Sequence, residues 1–183
     1  MNNVPPSCSI TKLLWAVGVN GEGSSHVTFA FIQHLLARTN SQGECVTVIY
    51  SARSKLDAHI SEFLSKTEAD SLSSAVKLVR LPKICRGYIV HFLLKFCLKP
   101  SHLFSAVVVL DDFPFRLSER QVLYFHQPNL IHSKNLAWKI KRLAFRSLLS
   151  PALTLYFQTR QISQAFASEF GDYKSLCFLH SLE

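Results

Sequence analysis

Short apolar runs alternate with amphipathic stretches along the whole chain. Lys12–Val19 (KLLWAVGV) is apolar after its lysine and runs into glycines, the pattern of a central parallel strand buried on both faces. Ser24 and Ser25 are placed to cap a following helix, whose inward face reads Val27, Ala30, Phe31, His34 and Leu35. A turn at 40–43 leads to a second strand, Cys45–Tyr50. Lys55 to Lys66 predicts a helix carrying Leu56, Ile60, Phe63 and Leu64 at helical spacing. Ala75–Leu81 alternates apolar and basic residues before Pro82, as a strand near a sheet edge does. Arg86–Lys99 predicts a helix that is apolar over most of its surface. Two strands, Ser105–Asp111 and Gln121–His126, follow with only a short loop between them. Lys134 to Leu149 predicts a basic helix with Leu136, Ile140, Leu143 and Leu148 inward and Lys139, Lys141, Arg142 and Arg146 outward. Leu153–Gln158 is the next strand, Arg160 to Phe170 a helix stopped by Gly171, and Leu176–His180 a last short strand.

Six or seven strands separated by helices predict an α/β fold: a Rossmann-like, doubly wound, mainly parallel sheet with helices on both faces. The chain has 183 residues, which suits one domain at 11–183 behind a flexible N-terminus at 1–10. A hydrophobic content of 48% with 17% charged residues, and fourteen Phe, describe a protein with a large core. No uninterrupted apolar run is long enough to span a bilayer, and MNNVPPSCS has neither a basic nor an apolar leader region. The expectation is a cytoplasmic protein, with a peripheral place at the membrane kept open.

Five scattered cysteines (Cys8, Cys45, Cys85, Cys97, Cys177) form no C-x-x-C pair and read as buried, reduced thiols. His34, His59, His91, His102, His132 and His180 lack metal-ligand spacing, so neither metal nor cofactor is expected. The net charge of +8 is unevenly placed: Ser71 to Leu110 and Gln121 to Ser168 each hold six Lys/Arg and no acid. That balance favours an anionic partner (a phosphate-bearing ligand, anionic lipid or nucleic acid) or is simply a solvated basic surface.

Ligands of open α/β sheets bind outside the carboxyl ends of the strands. The residues there are Gly18, Gly21 and Gly23 in the first loop, then Asp111 and Asp112, then His126 and Gln127, then Gln158 and Thr159. Backbone N–H groups of the glycine loop can approach a phosphate, or the loop is only a tight turn. Its spacing is G-x-x-G-x-G, and the second strand ends in Tyr50–Ser51 without an acid, which argues against a nicotinamide cofactor. Neither G-x-x-x-x-G-K-[ST] nor G-x-S-x-G occurs, which removes P-loop kinases and α/β-hydrolases. His126, stiffened by the Gln-Pro that follows, can donate to a ligand or take a proton, or serve as a satisfied structural residue. Gln127 and Asn129 tilt that balance towards a polar pocket. Asp111 and Asp112 are open to three roles: orienting His126, binding a sugar hydroxyl, or capping the loop.

The glycine loop, VVVLDDFP, QVLYFHQP, the basic helix and LYFQT, taken in that order, resemble the N-terminal half of a GT-B glycosyltransferase of the large retaining family 4. The resemblance spans residues 11 to 180 or so. It implies that this half holds the acceptor while a second Rossmann-like half grips a nucleotide-sugar donor. It further implies that Gly21 and Gly23 face the donor phosphates, that His126 is the cleft histidine near the reacting sugar, and that Gln158–Thr159 lie near the hinge. The E-x7-E element of the donor half has no counterpart here, so a second polypeptide or a missing C-terminal domain is the implied partner. Donor and acceptor would be a nucleotide-sugar and a glycan or lipid-linked acceptor. The competing expectation is a non-catalytic Rossmann-like module that docks on an anionic membrane surface or a partner subunit. Nucleic acid is disfavoured, since no recognised motif accompanies the basic helix.

Overall fold

The computed structural model describes residues 11–42, 45–66, 76–111, 113–125 and 127–177. Its strands are β1 (Thr11–Ala16), β2 (Cys45–Ser51), β3 (Val76–Leu81), β4 (Ala106–Val109), β5 (Gln121–Phe125), β6 (Leu153–Phe157) and β7 (Lys174–Cys177). They form one seven-stranded sheet in the order β3-β2-β1-β4-β5-β6-β7, every neighbouring pair parallel. The helices are α1 (Glu22–Gln42), α2 (Lys55–Lys66), α3 (Tyr88–Cys97), α4 (Asn129–His132), α5 (Leu136–Leu148) and α6 (Arg160–Phe170). The chain leaves β3 at one edge and re-enters the sheet as β4 on the far side of β1. The strand order therefore reverses between β1 and β4, and a crevice opens there.

Period-two alternation on β1 divides the core between two layers. Leu13, Trp15 and Val17 face the layer containing α3, α4, α5 and α6, whereas Leu14 and Ala16 face α1 and α2. The first layer is built on phenylalanine. Phe166 lies 5.0 Å from Phe125, 5.3 Å from Phe157 and 4.7 Å from Phe170, in tilted and edge-on contacts.

The short β4–β5 connection, which parallel strands ordinarily make with a helix, has a specific solution. Phe113 and Phe115 are buried where a crossover helix would pack, against Phe145 and Trp15 respectively. The buried Gln121 amide accepts from Phe115 N–H at 2.9 Å and donates to the carbonyls of Phe115 and Ser118. Arg116 N–H donates to Lys95 C=O at 3.0 Å, which ties the loop to α3. One glutamine thus takes over hydrogen bonds that a helix would have made internally.

Two helices, α1 and α5, present faces other than those the apolar periodicity predicts, and α3 buries polar residues. On α1 the buried residues are Ser25, Thr28 and Ile32, while Val27 and Phe31 are exposed. Ser24 and Ser25 lie inside the first turn, where Ser24 Oγ donates to Gly21 C=O and Ser25 N–H to the same carbonyl, so neither is the cap. On α5, Phe145 and Leu148 are buried while Leu136, Ile140 and Leu143 are exposed. Arg142 turns inward, its guanidinium donating to the carbonyls of Leu130, Ile131 and Ser133. On α3 the buried residues are polar, His91 and Lys95, and Ile89 and Leu93 face outward. Among the cysteines, Cys85 and Cys97 are free, but Cys45 is disulfide-bonded, which corrects the expectation of uniformly reduced thiols.

Candidate functional site

The glycine loop begins where β1 meets β4. A Cβ on Gly18 would stand 2.8 Å from His91 Cε1 and 2.9 Å from Asp111 Cβ, so only glycine fits. Gly18 N–H donates to Asp111 Oδ2 at 3.2 Å. Asp111 stands two residues past the end of β4, after Leu110, whose N–H donates to Trp15 C=O. One turn apart on α3, His91 and Lys95 reach the same carboxylate: His91 Nε2 lies 3.0 Å from Oδ2 and Lys95 Nζ 3.0 Å from Oδ1. The Lys95 ammonium also stands 4.0 Å from the centre of the Phe115 ring and 4.9 Å from that of Trp15. Trp15 Nε1 is 3.4 Å from His91 Nε2. One nitrogen cannot donate to Asp111 and accept from Trp15 at once, and the shorter contact identifies Nε2–H as the donor to Asp111.

Burial by itself would raise the Asp111 pKa. The Lys95 charge, then His91 and the hydrogen bonds of both, outweigh it and hold the carboxyl well below the usual carboxylate range. The network is a lock beneath the crevice, since the side chains of Asp111 and Lys95 have no exposed surface. Among the described residues Asp111 ties down the glycine loop through Gly18 N–H, while the role in orienting His126 falls outside them.

Above the lock lies a polar mouth of about 220 Å³, lined by Gly23, Ser24, Val27, Thr28, Leu110, Tyr124 and Gln158. Gln158 Nε2 donates to Tyr124 Oη at 2.8 Å, closing one side. The mouth opens into an apolar trough of about 430 Å³ that shares Val27, Thr28, Leu110 and Tyr124 with it. Phe31 of α1 walls the trough, and Val108, Val122 and Tyr156 of β4, β5 and β6 floor it. A cation stands at the loop: Arg86 Nη1 donates to Asn20 Oδ1 at 2.6 Å, joining the chain before α3 to the glycine loop.

The structure brings Gly23 and Gln158 together in the mouth, with Gly18 and Gly21 in the loop beside it. Thr159 instead caps α6, its Oγ1 accepting from Ile162 N–H. Gln127 follows β5 half-buried, and its carbonyl accepts from Leu130 N–H at the start of α4. His126 and Asp112 lie outside the described residues. Sequence reasoning missed His91 and Lys95, although two polar residues four apart on an otherwise apolar helix are a usable signal. It also missed Tyr124, because strand alternation does not say which face stays open. No group of three or more His, Cys, Asp or Glu able to hold a metal occurs among the described residues. Comparison of the chain with protein-family models, curated proteins and solved structures gave no match.

Proposed function

We propose that this domain is the acceptor-binding half of a retaining glycosyltransferase, working with a second half that carries the nucleotide-sugar donor. The observation that carries the reading is the mouth between the start of α1 and the carboxyl ends of β4, β5 and β6, the side on which a doubly wound sheet receives its ligands. Gly23, Ser24, Tyr124 and Gln158 offer donors and acceptors of the kind sugar hydroxyls need. The trough that continues from the mouth suits an acceptor with an apolar tail, and so a lipid-linked saccharide. During transfer, negative charge builds on the departing phosphate. Arg86 and the N–H groups of the glycine loop are this chain's contribution to stabilising it, with His126 retained as the cleft histidine.

Calorimetric titration of the chain with short-chain prenyl-phosphate saccharides tests the reading. A Cβ on Gly23 meets nothing within 4 Å, so Gly23→Phe fills the mouth without disturbing the core. Saccharide binding that disappears in Gly23→Phe and weakens in Gln158→Ala supports the proposal. Absence of binding across the saccharide panel, or binding indifferent to Gly23→Phe, refutes it.

A further inference from the structure

We propose that the outward faces of α3 and α5 together form a docking surface for an anionic membrane. Ile89 and Leu93 on α3 are 71% and 51% exposed, and Leu136, Ile140 and Leu143 on α5 are 71%, 54% and 65% exposed. Their spacing, i and i+4 on α3 and i, i+4 and i+7 on α5, lines them up as two continuous aliphatic ridges. The helices pack against each other on one side of the sheet, and Lys141 of α5 lies 5.4 Å from the Tyr88 ring at the head of α3.

Charge decides the occupant. Residues 83–103 and 129–149 contain no acid, and Lys83, Lys134 and Lys139 are exposed beside the ridges. Nearby acids, Glu169 beside Arg142 and Arg146 and Glu119 beside Lys99, engage other cations than these three lysines. Aliphatic ridges flanked by exposed lysines are what an anionic lipid surface attracts and then takes up. Phosphates of nucleic acid would meet the cations but leave the leucines and isoleucines in water. Half-buried Trp138, 4.3 Å from Lys141 Nζ, supplies an amphipathic ring that settles at headgroup depth, whereas the Tyr88 hydroxyl is buried within the protein. At the head of α3, Lys83, Ile84, Arg86 and Gly87 line a shallow depression of about 460 Å³, roomy enough for a phosphate headgroup. No helix among the described residues is long and apolar enough to cross a membrane, so the surface lies on the bilayer. The depression shares Arg86 with the transfer reading, but the aliphatic ridges and the lysines beside them take no part in it.

Flotation of the full chain with vesicles tests it, comparing phosphatidylcholine alone with phosphatidylcholine containing phosphatidylglycerol. The chain should float with the anionic vesicles, stay behind with neutral ones and be released by added salt. Ile140→Glu with Leu143→Glu should abolish flotation. Lys134→Gln with Lys139→Gln should weaken it about 25-fold, from roughly fivefold per cation. Leu64→Glu on α2, on the opposite side of the sheet, should change nothing. Circular dichroism of each variant establishes that it is folded. Equal binding to neutral vesicles, absence of binding, or full binding by the folded Ile140→Glu/Leu143→Glu variant overturns the proposal. So does self-association without vesicle binding, abolished by that same variant, which would give the face to a second copy of the chain.

Discussion

Asp111, Lys95, His91 and Gly18 form a unit in which each member limits what the others can become. Replacing Asp111 by Asn keeps the shape but leaves the Lys95 ammonium buried without its counter-charge. Breaking a buried pair in this way costs about 3–5 kcal/mol, read from urea unfolding. Asp111→Leu with Lys95→Met removes both charges and should cost less than either single change, a double-mutant cycle that isolates the pair. The pH dependence has a fixed sign. Because the folded carboxyl is held low, its stabilisation is complete above the unfolded pKa of about 4 and is lost as pH falls below that towards the folded value. The stability gap between the native chain and Asp111→Asn should therefore shrink on acidification below about pH 4, and a constant gap would exclude the ionised lock. Gly18→Ala drives a methyl into His91 and Asp111 and should cost about 1–3 kcal/mol. Of this unit the sequence carried only the glycine and the strand-ending aspartate. The histidine and lysine were hidden because a buried ion pair leaves no periodic trace, only two polar residues on an apolar helix.

Most helix and strand positions were legible because the apolar runs are short and bounded by glycine, proline and polar clusters; the exceptions are 40–42, where α1 continues to Gln42 in place of the expected turn, the short α4, and helix orientation. Periodicity picks out an apolar stripe on α1 and on α5, but most of that stripe is exposed, because burial follows other forces. On α1 it is Ser25 and Thr28 that are buried, the Asp111 lock draws in His91 and Lys95 on α3, and three carbonyls draw in Arg142 on α5. The β4–β5 connection was equally out of reach, since nothing local marks Gln121 as a buried staple. Gln121→Leu would strand the buried N–H of Phe115 and the carbonyls it serves, and should lower stability by about 1–3 kcal/mol in chemical denaturation. Capping is a smaller, cleaner case. Thr159→Ala removes the acceptor for Ile162 N–H and should cost about 1 kcal/mol, whereas Thr159→Ser should restore most of it. Equal behaviour of the Ala and Ser variants would show that the hydroxyl does not act as a cap.

At the scale of the molecule, two apolar surfaces among the described residues differ in shape, and shape separates their uses. Parallel sheets normally bury both faces under helices. Here Val108, Val122, Tyr124 and Tyr156 floor an open trough beside Val27 and Phe31 of α1, while α3 and α5 raise convex ridges on the other side. A trough grips a single chain or ring system along its length. A ridge offers little to a small molecule but inserts readily into a deformable lipid surface. An apolar fluorescent probe such as anilinonaphthalene sulfonate should therefore bind the native chain in the trough, at denaturant concentrations well below unfolding. Phe31→Glu, at a partly exposed position, should suppress that fluorescence while shifting stability by only about 0.5 kcal/mol. Ile140→Glu should leave it unchanged while weakening attachment to anionic vesicles. If one substitution changed both signals, probe and membrane would be using the same surface, and the division between concave ligand site and convex docking face would fail.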